Sequence, residues 1–451
     1  MRTWWNHSFK GGENLNRKED FMKEYDQYVI TSYGKPFPGI VIVEARDVYV
    51  TDMEGKRYLD FWAGIATVNA GHNNPKVQEA VQRQMEKLVH CSSQSYYTVP
   101  PLELAKKIAA IAPFQPCKAT FHTSGSEATD VALKMVRRYS KKHEILALQG
   151  CYHGRTYGAH SIGTPVGGYS KSYAMSPYAP GAIHVPAPYC YRCSLGYEYP
   201  QCHVQCARMI EDFINFSSSR DVAAYIAEPI FGVGGIVTPP DEYFQEVKKV
   251  LDKYGILLIL DEVQTGLGRT GKLWGAEAYK VKPDVITLAK ALGNGWPISA
   301  VVASGQIGDA FEPSDHFSTW GANPVMCAAA GATIDYIMEN RLWENADKTG
   351  TLLMRRLKEM ESEYEIVGEA RGKGLMIGVE IVKNKDTKEP GAEECKKIRM
   401  LCGEHGLIVG LGGFWSNVIR IQPPLTIRED HVSQAMEAFE KAVKEVEKQV
   451  R

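Results

Sequence analysis

Ile256-Leu257-Leu258-Ile259-Leu260-Asp261 and Val285-Ile286-Thr287-Leu288-Ala289-Lys290 are two short apolar runs, each ending in a charge. Runs of this length, rich in branched residues and free of polar alternation, read as parallel strands buried on both faces. In an open α/β sheet, ligands bind beyond the C-terminal ends of such strands. An amine and a carboxylate delivered there together suit a cofactor with an aldehyde for the amine and a ring nitrogen for the carboxylate. Read singly, Asp261 is equally a helix cap and Lys290 a solvated surface lysine.

Outward from these runs the pattern repeats. Ile145 to Leu148, Ala223 to Ile226 and Ile298 to Ala303 are further strand-like runs, separated by helical stretches. The alternation implies an α/β fold with a mostly parallel sheet and helices on both faces. Upstream, Val41 to Ala45, Val48 to Val50 and Tyr58 to Phe61 read as an antiparallel meander. From Asn74 the period becomes helical, with Val77, Val81, Met85 and Leu88 on one face. After Pro324 come an Ala-rich helix, an amphipathic stretch over Leu342 to Glu359, strands near Leu375 to Val382 and Val418 to Ile421, and a last helix from Asp430. With 451 residues and no Pro- or Gly-rich linker, two lobes of one body are expected. The expected division is a large domain over 66–325 and a small α+β domain built from both termini, 1–65 and 326–451.

Fifty-two basic and 53 acidic side chains leave a net charge of −1, no electrostatic footprint for nucleic acid or an anionic membrane. Met1 to Asp20 is polar and lacks a signal-peptide apolar region, and no apolar stretch approaches a membrane span, so a cytoplasmic protein is expected. Four of the ten cysteines cluster as Cys190-x2-Cys193-x8-Cys202-x3-Cys206. The spacing could hold zinc or an iron–sulfur cluster, or the residues could be reduced thiols in a compact insert. No metal ligand set is assigned.

Thr123-Ser124-Gly125-Ser126-Glu127-Ala128 precedes a helical stretch that runs to Tyr139. Free N–H groups at a helix start attract an anion such as phosphate, although Ser124 or Ser126 could equally be an ordinary cap. Gly266-x-Gly268-x-x-Gly271 matches the dinucleotide fingerprint but opens no long helix, and Leu273 stands where a P-loop needs Ser or Thr. A nucleotide-binding, non-enzymatic protein is therefore the weaker alternative.

Six strings occur in order: Thr123 to Ala128, Tyr152-His153-Gly154-Arg155-Thr156, Glu228-Pro229, Leu260 to Gly271, Lys290 to Gly295, and Ser318-Thr319-Trp320-Gly321-Ala322-Asn323-Pro324. Together they resemble the class III aminotransferases, pyridoxal-phosphate (PLP) enzymes of fold type I, along nearly the whole chain. The resemblance implies that Lys290 bonds the cofactor aldehyde and carries protons, and that Asp261 pairs with the ring nitrogen. It implies that Gln264 donates to the ring hydroxyl, that Tyr152 stacks on the ring, and that Gly125 and Ser126 hold the phosphate. His153, Glu228 and Val263 also fall at cofactor-binding positions. Thr319 would reach the cofactor phosphate of a neighbouring subunit, which implies a homodimer or a dimer of dimers.

Arg420 matches the arginine that clamps an α-carboxylate, a task that suits its planar fork. Arg155 matches a residue for a distal carboxylate, and Trp62 a wall of the donor pocket. In relatives that use 2-oxoglutarate, a glutamate in the glycine-rich turn pairs with the arginine; here Phe231-Gly232-Val233-Gly234-Gly235 has Val233 at that place. Together with strings such as Arg371 to Gly378, this resembles alanine–glyoxylate and β-amino acid–pyruvate members. The expected partners are an ω-, β- or α-amino acid or amine as donor and a small 2-oxo acid as acceptor. The alternatives are a 2-oxoglutarate-dependent 4-aminobutyrate-type aminotransferase, or a racemase, epimerase or phospho-lyase on the same fold.

Overall fold

The computed structural model describes residues 18–31, 39–93, 95–164 and 177–450, so most of the polar N-terminal stretch lies outside the described residues. β1 (Ile42–Arg46), β2 (Tyr49–Asp52) and β3 (Arg57–Asp60) form the expected antiparallel meander. A seven-stranded sheet follows: β4 (Cys117–His122), β5 (Glu144–Leu148), β6 (Ala182–Val185), β7 (Val222–Ala227), β8 (Leu257–Asp261), β9 (Val285–Leu288) and β10 (Ser299–Ser304). Its order is β4-β10-β9-β8-β7-β5-β6. β10 pairs antiparallel with both neighbours, and the other strands run one way. The sheet is mixed but mostly parallel, as the alternation of runs and helices implies.

The central strands are apolar throughout because both faces are covered. Leu258, Leu260, Ile286 and Leu288 point into a core shared with Phe244, Val247 and Leu251 of the helix Tyr243–Tyr254. Ile259 and Val285 point the other way, against Val131, Ala132 and Val136 of the helix Gly125–Ser140.

The C-terminal third adds β11 (Val367–Lys373), β12 (Met376–Asn384), β13 (Glu389–Pro390), β14 (Leu407–Ile408), β15 (Gly410–Gly412) and β16 (Val418–Ile421). The order β11-β12-β16-β15 makes a separate antiparallel sheet, while β14 pairs in parallel with β3. The two ends of the chain thus meet in one small sheet.

The glycine-rich turn around Arg269 packs into the body of the protein. Arg269 within it is fully buried, donating to the carbonyls of Leu375 and Pro423 and to Asn69 Oδ1 at 2.5 Å. The glycine-rich turn is the tie between the parallel-sheet body and the C-terminal sheet. The helical face from Asn74 departs from expectation at its end: the helix stops at Met85, and Met85 and Leu88 are exposed.

Candidate active site

Five loops leave the same edge of the parallel sheet and enclose a cavity of about 330 Å³. Gly125, Ser126, Tyr152, His153, Glu228, Asp261, Val263, Gln264 and Lys290 all line it. Their common edge explains the convergence: β4 leads to Thr123–Ser126, β5 to Tyr152–His153, β7 to Glu228, β8 to Asp261, and β9 to Lys290.

Lys290 opens a 3-10 turn directly after β9, with a left-handed φ of 43°. Non-glycine residues held there are strained, and such strain gathers at functional positions. Burial pushes its amine down to about 8, against the opposing pull of Asp261 and Glu228, and Arg420 adds to the depression. The lowered value favours a neutral amine, the form able to attack an aldehyde.

The Asp261 carboxylate is buried and held at both oxygens. Oδ1 accepts from Val263 N at 3.1 Å and Thr287 Oγ1 at 3.0 Å, and Oδ2 lies 2.7 Å from His153 Nδ1. Glu228 accepts from Tyr152 N and Gly232 N, each at 2.8 Å, stapling two cavity loops together. Burial raises its carboxyl to about 7. Gln264 Oε1 accepts from Gln422 Nε2 at 3.0 Å, which leaves the Gln264 NH₂ as a donor.

Ser124 is the N-cap of the helix Gly125–Ser140, its hydroxyl accepting from Glu127 N at 3.2 Å. That leaves the N–H groups of Gly125 and Ser126, at the positive end of the helix dipole, for an anion. Ser126 Oγ accepts from Arg155 N at 3.0 Å, and a Cβ on Gly154 would meet Ser126 at 2.3 Å. The anion cradle is packed too closely to admit a side chain.

A buried amine, a fixed carboxylate, an amide donor, an aromatic ring and an anion cradle around one cavity fit the aldehyde, ring nitrogen, ring hydroxyl, ring face and phosphate of pyridoxal phosphate. Beside the cavity, Arg420 on β16 is buried, its Nε donating to Leu411 O at 2.8 Å and its guanidinium 4.2 Å from the Trp62 ring centre. Arg155 lies outside the cavity lining, 5.5 Å from the Tyr152 ring. Thr319 is exposed, and it too lies outside the cavity of its own chain. Sequence reasoning missed Thr287 and Gln422. Gln422 had a signal, two residues after Arg420 and just past the end of β16; Thr287 sits polar within an apolar run.

A family model described as aminotransferase class-III matches residues 30–443. The chain is 43% identical to the leucine/methionine racemase of Thermococcus litoralis, over 96% of each chain. It is 36% identical to human mitochondrial alanine–glyoxylate aminotransferase 2, over 95% of this chain and 86% of that protein. A PLP-bound amine transaminase from an uncultivated Pseudomonas species superposes with a TM-score of 0.87 at 31% identity, covering 93% of this chain and 99% of that one. A family match over residues 30–443 and identity at this level along nearly the full length make the chain a member of the class III aminotransferases, with pyridoxal phosphate as its cofactor.

Proposed function

We propose that the protein moves an amino group from an ω-, β- or α-amino acid or amine to a small 2-oxo acid such as pyruvate or glyoxylate. When bound, pyridoxal phosphate supplies an aldehyde that captures the donor's amino group and a ring that draws electrons from the carbon bearing it. Lys290 Nζ would take the proton from that carbon and place it on the carbon that had been the aldehyde, and would move it the opposite way for the acceptor. Asp261, fixed by Thr287, Val263 and His153, keeps a negative charge at the ring nitrogen. The Arg420 guanidinium takes the carboxylate of the acceptor, and the Trp62 ring covers the guanidinium from one side.

The observation that carries the acceptor class is Val233. Its turn packs on the segment before β16: Val233 O accepts from Gly413 N at 3.0 Å, and a Cβ on Gly412 would touch both Val233 O and Arg420 Nε. An apolar side chain at that place adds no carboxylate beside Arg420, which suits a short oxo acid as the group the arginine takes. Initial rates with pyruvate, glyoxylate and 2-oxoglutarate test this. Arg420→Ala should raise the KM of the preferred acceptor about tenfold or more, the worth of a charge-assisted bidentate pair. A clear preference for 2-oxoglutarate would overturn the acceptor class.

The racemase relative favours a second reading, in which the proton returns to the opposite face of the same α-carbon and no acceptor is needed. Incubating the holoenzyme with L-leucine or L-methionine alone separates the two. Catalytic appearance of the D-enantiomer without any oxo acid would replace transfer by racemisation.

A further inference from the structure

The cysteine-rich insert lies outside the cofactor cavity, yet it closes on a cavity of its own. Cys190, Cys193, Cys202 and Cys206 all line one pocket of about 20 Å³, floored by Tyr189 and Pro240. That is room for a single ion or water and too little for a multinuclear cluster. Cys190 opens a 3-10 turn that ends at Arg192, which presents the first pair from one compact bend. Between the second pair, His203 and Val204 are consecutive non-glycine residues in the left-handed region, with φ of 46° and 55°. Backbone strain of this kind persists only where the surroundings enforce it. Here it turns the chain so that Cys202 and Cys206 face the same pocket. Both pairs have the two- or three-residue spacing from which thiolate ligands of structural zinc are drawn.

We propose that these four cysteines form a tetrahedral zinc site that fastens the insert to the body of the protein. All four are free thiols, and no three of their sulfurs lie within 4.8 Å of one another. A Zn–S bond of ~2.3 Å requires closer approach, so binding contracts the pocket by rotation of more than one thiol, Cys190 being exposed and Cys193, Cys202 and Cys206 each only half-buried. Each thiol gives its proton to solvent as its sulfur bonds the ion, which leaves the centre with two negative charges. Glu242 and Glu369 lie close enough to oppose that charge at Cys190.

The insert reaches the acceptor side of the active site through one buried carboxylate. Glu380 accepts from Arg192 Nε at 2.6 Å, from Arg371 at 2.6 Å, from Asn417 Nδ2 at 3.1 Å and from the Tyr189 hydroxyl. Arg371 in turn donates to Gly235 O at 2.6 Å, in the turn that carries Val233. Asn417 immediately precedes β16 and Arg420. The zinc site therefore holds Tyr189 and Arg192 as positioning residues for the acceptor pocket, a consequence that rests on the function proposed above.

The holoenzyme expressed with added zinc, dialysed and analysed by atomic emission, should carry one zinc per chain. The paired substitution Cys202→Ser and Cys206→Ser should abolish it, while Cys91→Ser, remote from the insert, should retain it. Cobalt in place of zinc should give thiolate-to-cobalt absorption. Below about 0.1 zinc per chain, stoichiometric iron and sulfide, two disulfides on thiol titration, or zinc retained by the paired variant would each overturn the site. Loss of zinc should also raise the acceptor KM at least threefold, with the half-reaction of an amine donor that carries no carboxylate unchanged. Arg420→Ala run in the same assay separates the two claims. If it leaves the acceptor KM unmoved, the acceptor reading fails while the zinc stoichiometry still decides the site. If it raises KM and zinc loss does not, the coupling is wrong.

Discussion

At the scale of single residues, the chemistry turns on one buried amine. The Lys290 ammonium ordinarily loses its proton near 10.5, but burial pushes it down to about 8. Below about 8 the folded protein therefore holds a mostly cationic lysine that cannot attack an aldehyde. Capture of PLP by apoenzyme, trapped with borohydride, should speed up about tenfold per pH unit up to that value and level off above it. The same shift bears on stability. Between about 8 and 10.5 the unfolded chain keeps the proton and the folded apoenzyme does not, so this group's contribution rises with pH in that window. A capture rate flat from pH 6.5 to 9 would show that Lys290 is not the attacking amine, as would a borohydride-stable cofactor link in Lys290→Ala.

At the scale of elements, what was legible in the chain follows from where each strand sits in the sheet. β5, β7, β8, β9 and β10 stand out as apolar runs because each has neighbours on both sides and helices over both faces. β4 and β6 do not, and they are the two edges of the sheet. Cys117-Lys118-Ala119-Thr120 is only partly buried, and only Val185 of β6 is fully so. Edge strands are half-solvated, so their sequences carry no buried run to read. Asp261 and Lys290 were legible because each follows a buried apolar run, whereas Tyr152, His153, Glu228, Val263 and Gln264 were legible only through the family resemblance. The acceptor side was less so, because close contacts between remote segments build it. Gly410 on β15 is the example: a Cβ there would stand 1.7 Å from the Trp62 ring. Gly410→Ala must push Trp62 off Arg420, removing a cation–π contact worth about 0.5–2 kcal/mol. The expected result is an acceptor KM raised about two- to thirtyfold with improved tolerance of bulky amine donors. An unchanged acceptor KM would show that the Trp62–Arg420 stack plays no part in binding.

At the scale of the whole molecule, one chain leaves an unbalanced surface. Met85, Leu88, Val89, Tyr96, Tyr97 and Val99 are exposed, and so are Phe317 and Trp320, which flank Thr319. Contiguous apolar patches of this kind mark association surfaces, and Thr319 stands among them, outside its own chain's cavity. We expect a homodimer in which the Thr319 hydroxyl of one chain bonds the cofactor phosphate of the other. A hydrogen bond to a charged group contributes about 1.5–3 kcal/mol, so Thr319→Ala should weaken PLP binding roughly ten- to a hundredfold. Mixing distinguishes a contact across the interface from a local one. In a mixed dimer of Lys290→Ala and Thr319→Ala chains, the site that keeps Lys290 would receive an intact Thr319 from the other chain. That site should recover normal PLP affinity and turnover, although the first variant alone is inactive and the second alone binds the cofactor weakly. No recovery on mixing, or a diluted monomer that stays loaded and active, would place Thr319 outside the active site.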